Sequence, residues 1–377
     1  MFVYFVSIMF ETILFWYLII LFISYVAIHW LVWKGLKILP QQVTDRQHSF
    51  YIIVAARNEE KNIRHCIESL VALNYPKEKF EIIIANDRST DRTGAIVEEF
   101  SRHHSNVKLI NITSIPSEMP HKKNALQEAI KFAKNEILAF TDADCIAPSN
   151  WLNEISKLFT EDVGVVAGYS PNKFHNPNSP GATFLRYEEL KNSLGAAAGI
   201  ALGSAYMCTG RNFAYRKKVF DEVGGFEKIK HSISGDDDLF IQLVQKETRW
   251  KIRYTISPES YVITEPPTSF RQFINQRTRH FSAGKYYPAK MKLIFGTIHL
   301  FNFSILVGLY FSPLISLILL MTKFNVDAIV VARGKELFNE EFSTPKFFAD
   351  ELLYMMYNII IGPLGYLKKF DWKGSAA

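Results

Sequence analysis

The chain has 377 residues, 48% of them hydrophobic and 21% charged, with a formal net charge of +6. That balance excludes a disordered or collagen-like chain, and at about 150 residues per domain the length allows two or three units. The apolar residues are unevenly spread: up to Trp33 the only Asp, Glu, Lys or Arg is Glu11, whereas positions 40 to 265 read as ordinary soluble sequence. Phe and Tyr are abundant, at 30 and 17, as expected where aromatic rings sit at membrane interfaces. A purely soluble protein is excluded. Cys66, Cys145 and Cys208 are odd in number and widely spaced, which fits neither a zinc site nor a disulfide framework and suits a reducing compartment.

Thr12 to Trp33 is free of Asp, Glu, Lys and Arg, and about 33 Å of helix is enough for a hydrocarbon core of about 30 Å. No basic stretch precedes it and no small-residue cleavage site follows, so it reads as an anchor. Lys34 and Lys37 follow at once, which orients the bulk of the chain to the cytoplasm. A second uncharged run covers Leu293 to Thr322 with Pro313 inside. A third covers Phe347 to Leu367, with Asp350 and Glu351 near its start and Lys368 and Lys369 after it. Lys290, Lys292, Lys368 and Lys369 put both outer ends of this pair on the cytoplasmic side. Three spans are expected, with a re-entrant piece in the second run as the alternative. The segments are therefore an anchor over 1–37, a soluble domain over 48–265, a basic interface segment over 266–292 and a C-terminal membrane region over 293–370.

Within the soluble domain, Tyr51–Ala56, Glu81–Asn86, Val107–Ile112 and Glu136–Phe140 are short, continuous apolar runs. Such runs suit strands covered on both faces, as in a parallel sheet. Helical stretches at about 59–73, 91–104 and 121–134 separate them, with Asn58 and Ser89 as expected helix starts. This is a doubly wound α/β pattern, mostly parallel, which binds ligands at the carboxyl ends of its strands. Three strands run into polar residues there: Arg57-Asn58-Glu59-Glu60, Asn86-Asp87-Arg88-Ser89 and Thr141-Asp142-Ala143-Asp144. Asp and Asn stop strands and cap helices wherever they occur, but three such ends converge on one edge.

Asp142 and Asp144, one residue apart past a strand end, can reach one ligand, and their hard oxygens suit Mg²⁺ or Mn²⁺ beside a diphosphate. Further on, Ser234-Gly235-Asp236-Asp237-Asp238-Leu239 packs three aspartates together, a costly arrangement unless a cation or raised pKa values relieve it. Its apolar flanks predict a helix start docked on the protein, where a carboxylate could take a proton from an attacking hydroxyl. From Pro267 to Lys292 the chain has basic residues and no acid, interleaved with Phe270, Phe273, Ile274 and Phe281. This is an amphipathic strip for an anionic membrane surface, and Gln276-Arg277-Thr278-Arg279 could at the same time face a diphosphate. A strip adjoining a membrane span does not suit nucleic acid.

Over about residues 50–285 the sequence resembles the membrane-anchored family-2 glycosyltransferases. The likeness rests on Ala55-Ala56-Arg57-Asn58-Glu59, Asp87-Arg88-Ser89-Thr90-Asp91, Asp142-Ala143-Asp144, Gly235-Asp236-Asp237-Asp238-Leu239 and Gln276-Arg277-Thr278-Arg279, in the family's order. Lys122-Lys123-Asn124-Ala125-Leu126 is similar to its Gly-Lys-x-x-Ala-Leu element. The resemblance implies a nucleotide-sugar-binding fold and a donor, most simply a UDP-sugar, held by Ala55, Arg57, Glu59, Asp87, Lys122 and Asp142. It implies a Mg²⁺ or Mn²⁺ site on Asp144 with Asp142, and Asp237 as general base beside Asp236. Gln276, Arg277 and Arg279 would lie near the acceptor and diphosphate.

The implied reaction is an inverting displacement, with a hydroxyl attacking the anomeric carbon opposite the departing nucleotide. His280 stands where the family's polymer synthases carry Trp, and His121 and Asn86 also depart from the pattern. The expectation is therefore transfer of one sugar to a lipid or lipid-linked acceptor at the cytoplasmic face of the inner membrane, with positions scattered through 165–215 lining the pocket. A processive polysaccharide synthase subunit and a catalytically silent scaffold are the rival readings. A nucleotidyltransferase would want a Gly-rich phosphate loop after the first strand, where this chain has none.

Overall fold

The computed structural model describes residues 2–39, 43–113, 118–134, 136–341, 344–367, 371–372 and 375–376. Lys368 and Lys369, used above to orient the last expected span, lie outside the described residues. The four apolar runs form β1 (Phe50–Ala56), β2 (Phe80–Asp87), β3 (Val107–Ile112) and β4 (Ile137–Phe140). Three helices connect them: α2 (Ile63–Val71), α3 (Thr93–His103) and α4 (His121–Lys131). A short β5 (Cys145–Ile146), α5 (Trp151–Leu158), β6 (Val163–Gly168), α6 (Pro180–Ala201), β7 (Phe213–Arg216), α7 (Lys217–Val223), α8 (Asp238–Glu247), β8 (Lys251–Thr255) and β9 (Ile263–Thr264) complete the domain.

The seven-stranded sheet has the order β3-β2-β1-β4-β7-β6-β8. Strands β1 to β4 are mutually parallel, β7 runs antiparallel to both its neighbours, and β6 and β8 are parallel. The doubly wound, mostly parallel sheet expected from the sequence is present. Its core splits by residue parity, because successive side chains in a strand point to opposite faces. Ile52, Val54, Ile82 and Ile84 pack under α2, α3 and α5. Ile53, Ile83, Leu138 and Phe140 pack under α4, α6 and α8, joined by Leu36 and Leu39 from the anchor end.

Among the described residues, three helices are long and apolar enough to cross a membrane: α1 (Phe2–Lys37) from Met9 onward, α10 (Ala289–Phe311) and α11 (Pro313–Phe338). The number agrees with the sequence expectation, but the partition does not. The uncharged run over Leu293–Thr322 is two helices, because Pro313, lacking an N–H, opens a new helix rather than sitting inside one. Helix α11 then continues past the run's end through Lys323 and Asp327, one turn apart and paired at 2.8 Å. Phe347–Leu367 instead lies in α12 (Thr344–Leu367), which is not one of those three and packs on α6 and α9 (Phe270–Ser282).

A buried ionic knot fastens these helices to the soluble domain. Asp327 of α11 is 2.6 Å from Lys191 Nζ of α6 and 3.1 Å from His29 Nε2 of α1, and it accepts a 2.7 Å hydrogen bond from the Tyr25 hydroxyl. Glu351 of α12 closes the group, 3.4 Å from Lys191 and paired with Lys323.

Candidate active site

The polar residues singled out in the sequence lie at the carboxyl ends of β1, β2 and β4. Asn58 and Ser89 do not start helices, however. Helices α2 and α3 begin later, after Asn62 and Arg92. Asn58 and Ser89 lace the two loops together instead: the Asn58 N–H donates to Ser89 Oγ at 3.0 Å, and the Thr90 N–H to Asn58 Oδ1 at 2.9 Å. Asn58 and Arg88 both take left-handed backbone, at φ 54° and 52°, which Asn tolerates better than most residues. Asp87 is buried, with Arg88 Nη2 at 2.7 Å and Arg57 Nη1 at 3.9 Å. Glu59 Oε2 accepts from Asn62 at 2.9 Å. Ala55 is paired in β1 opposite Ala85, so what it offers a ligand there is backbone.

Lys122, in the first turn of α4, joins the two acidic motifs. Its Nζ lies 3.0 Å from Asp142 Oδ1 and 3.1 Å from Asp236 Oδ2. Burial alone would lower this ammonium, but Asp142, Asp236 and Asp237 outweigh it and raise its pKa. Burial likewise pushes Asp142 up, and Lys122, Arg211 and Arg279 more than reverse it. The next residue, Lys123, points the other way. It is fully buried and donates to the carbonyls of Ile229, Ser232 and Ser234, pinning the loop that delivers the three aspartates; burial lowers its pKa to about 8.

The aspartates resolve their repulsion by dividing the work. Gly235 takes φ 87°, and a Cβ there would sit 2.6 Å from the Leu239 side chain, so the turn needs glycine. Asp236 faces Lys122. Asp237 caps α8, its Oδ1 accepting from the Asp238 N–H at 2.7 Å and its Oδ2 from the Gly210 N–H at 2.8 Å. Asp238 accepts from the Cys208 N–H at 3.0 Å and the Tyr287 hydroxyl at 2.6 Å. Burial and the neighbouring acids raise the pKa of both Asp237 and Asp238. Both relief mechanisms named from the sequence, a cation and raised pKa values, operate side by side.

Asp142, Asp144 and Cys145 offer three ligand atoms within 4.8 Å of one another. Desolvation, then Asp142 and Glu59, raise the Asp144 pKa, and Arg211 opposes the rise; the Asp144 side chain is open to solvent. Hard oxygens in this setting fit a divalent cation such as Mg²⁺ or Mn²⁺.

The structure separates the expected basic contacts. Arg277 is buried and paired with Glu188 of α6, which also accepts from the Tyr357 hydroxyl of α12 at 3.1 Å; its Nη1 donates to Gln276 Oε1 at 3.1 Å. It therefore ties α9 to α6 and α12 while also lining the cavity described next. Arg279 keeps its guanidinium free of any carboxylate among the described residues. A cavity of about 1140 Å³ is lined by Lys122, Asp142, Asp144, Asp236, Asp237, Gln276, Arg277 and Arg279, among others. Ala55, Arg57, Glu59 and Asp87 are outside that lining. Ser170, Asn172, Glu188, Glu189 and Arg211 are in it, as expected for positions within 165–215. The sequence reading assigned no role to Arg211, which donates to the Ser170 carbonyl at 3.0 Å, lies 3.9 Å from Glu189 and acts electrostatically on Asp142 and Asp144. Its sign, in a turn beside the acidic motifs, was the available signal.

A mostly parallel sheet with carboxylates gathered at the ends of its strands places its candidate ligand crevice there. Residues 51–224 match the sequence model of the family described as Glycosyl transferase family 2. The chain carries a family 2 glycosyltransferase domain. It is 27% identical over 247 residues to the Probable glycosyltransferase YdaM of Bacillus subtilis, covering 63% of this chain and 56% of that protein. It is 25% identical over 240 residues to the beta-monoglucosyldiacylglycerol synthase of a Synechocystis strain, covering 62% and 47%. The chain thus spans about half the length of the curated relatives it matches. The solved mannosyltransferase PcManGT of Pyrobaculum calidifontis, in complex with GDP-Man and Mn²⁺, shares the fold with a TM-score of 0.59 over 95% of this chain and 99% of that one, at 18% identity.

Proposed function

We propose that this protein moves one sugar from a nucleotide-sugar, most simply UDP-linked, to a hydroxyl of a lipid or lipid-linked acceptor at the cytoplasmic face of the inner membrane, with inversion at the anomeric carbon. The observation that carries the reading is the continuity of one cavity from Asp142, Asp144 and Asp236 to residues of α1, α10 and α12, so that a membrane-borne acceptor can meet a cytosolic donor. The diacylglycerol acceptor in one relative's name and the nucleotide-sugar in the PcManGT complex are consistent with it.

Both Asp236 and Asp237 line the cavity, and Asp236 is taken as the base because backbone N–H groups engage both Asp237 oxygens whereas Lys122 engages one oxygen of Asp236. This moves the base one residue from the position the resemblance implied, and makes Asp237 a positioning residue. Asp236 takes the acceptor proton as its oxygen attacks. Arg279 and Arg211 offset charge developing on the departing diphosphate. Asp142 and Asp144 would hold Mg²⁺ or Mn²⁺, which supplies electrostatic stabilisation of that diphosphate when bound. Glu59 and Asp87 stand at the strand ends beside this group, where the nucleoside is proposed to bind.

Calorimetric titration of the purified protein with UDP and GDP, with and without Mn²⁺, tests the donor half. Metal-dependent binding that is lost in Asp144→Ala is expected. Binding that ignores both the metal and that substitution would sink the assignment.

A further inference from the structure

Most cations lining the large cavity are already matched. Lys122 sits between Asp142 and Asp236, Lys191 between Asp327 and Glu351, and Arg277 against Glu188. Arg279, Lys290 and Lys292 also line it and have no carboxylate partner among the described residues. Lys290 and Lys292 stand in the first turn of α10, where the helix dipole disfavours a positive charge and no side chain caps the end. Beyond them the wall turns apolar, with Ile28, Leu31 and Val32 of α1 facing the same space as Ile294, Phe295 and Ile298 of α10. The lining thus combines carboxylates, unpaired positive charge and hydrocarbon in one cavity.

We propose that the acceptor is an anionic lipid with a phosphate between its hydrocarbon chain and the hydroxyl that receives the sugar, the phosphate being held by Lys290 and Lys292. This rests on the glycosyltransferase reading above and goes beyond it by excluding a neutral diacylglycerol. The acceptor oxygen forms the new bond to the anomeric carbon and the bond from that carbon to the donor phosphate breaks. The electron pair leaves on the nucleoside diphosphate, and the hydroxyl proton passes to Asp236.

The test uses the full chain in phosphatidylcholine nanodiscs with the donor selected by calorimetry. The acceptors compared are diacylglycerol, phosphatidylglycerol and a polyprenyl-diphosphate-linked sugar; the last two tell a glycerophospholipid from a lipid-linked saccharide. One or both phosphate lipids should exceed diacylglycerol by about tenfold or more in kcat/KM, and Lys290→Gln with Lys292→Gln should raise acceptor KM by about tenfold, the loss expected for charge-assisted contacts. Donor KM should stay within about twofold, since the lysines act on the other substrate. Lys285→Gln, in the same basic strip but off the cavity, should do nothing. Should the double variant fail to fold, the wild type still decides: raising salt from about 50 to about 500 mM should raise KM for the phosphate lipid and leave diacylglycerol unaffected. Equal use of diacylglycerol, or a double variant indistinguishable from Lys285→Gln, would overturn the proposal while leaving the transferase reading intact. Absence of nucleotide binding in the wild type would overturn both.

Discussion

The Tyr287 hydroxyl donates a 2.6 Å hydrogen bond to Asp238 Oδ2, tying the residue just ahead of membrane helix α10 to the last of the three aspartates. Asp238 is half-buried, and its pKa is raised by desolvation and by Asp237 while the Tyr287 bond opposes the rise. Tyr206 and Phe295 pack on the same ring. The membrane segment and the catalytic loop therefore share one fixed point.

Tyr287→Phe keeps the ring packing and removes only the donor. We expect kcat to fall about tenfold, equivalent to the ~1.5 kcal/mol such a charge-assisted bond contributes, with donor affinity unchanged. Steady-state nucleotide release beside calorimetry separates the two. An unaltered kcat in the folded variant would remove Tyr287 from the account.

The division between Asp236 and Asp237 predicts different defects. Asp236→Asn should lower kcat by about 10² to 10⁴ without loss of stability. Asp237→Asn leaves one of two backbone N–H groups facing a donor, and should cost about 1–2 kcal/mol in stability. Gly210→Ala should mimic it mildly, because the added Cβ would lie 3.1 Å from Asp237 Oδ2. Thermal melts and single-turnover rates on the three variants sort these effects.

Glu189 sets an expected pH limit. Burial, against Arg211 and the Asn172 backbone, raises its carboxyl from 4.5 to about 7. As pH falls through about 7 it takes up a proton and loses the charge that faces Arg211. Because the folded state binds that proton more tightly than the unfolded chain, this group adds stability as pH drops from about 7 toward 4.5, while activity declines. The acid limb of the pH–rate profile should centre near 7 and vanish in Glu189→Gln; persistence of that limb in the variant would exclude Glu189 as its source.

Asp327→Ala would leave two buried ammonium groups, Lys191 and Lys323, sharing Glu351 alone of their two carboxylates. Breaking such a group from one side costs about 3–5 kcal/mol, so the variant should melt markedly lower in detergent. Replacing Lys323 by Met in the same chain should recover part of the loss, since one surplus positive charge is removed. No recovery would mean that the knot acts by geometry rather than charge.

The sheet's parallel half was legible because its strands are continuous apolar runs that end in polar residues at one edge. Strands β6, β7 and β8 were not read, since the antiparallel insertion of β7 between β4 and β6 is a tertiary choice with no period of its own. The membrane region was misdivided for a local reason. A pattern reading stops at Lys323 and Asp327, whereas the fold buries them together and continues the helix. Arg277 and Asp237 show the same limit at the site. Their types and spacing suit catalysis, but no local pattern announces their contacts with Glu188 and the Gly210 N–H, which are distant in sequence.

The central claim is a sugar transfer that starts from a nucleotide donor and depends on Asp236 and Asp144. It is tested most directly by measuring nucleotide release from a panel of UDP- and GDP-sugars, with a lipid extract, for the wild type beside Asp236→Asn and Asp144→Ala, with and without EDTA. The account predicts lipid-stimulated release with one donor, abolished by chelation and by either substitution. Equal release from the wild type and Asp236→Asn, or none with any donor, would contradict it.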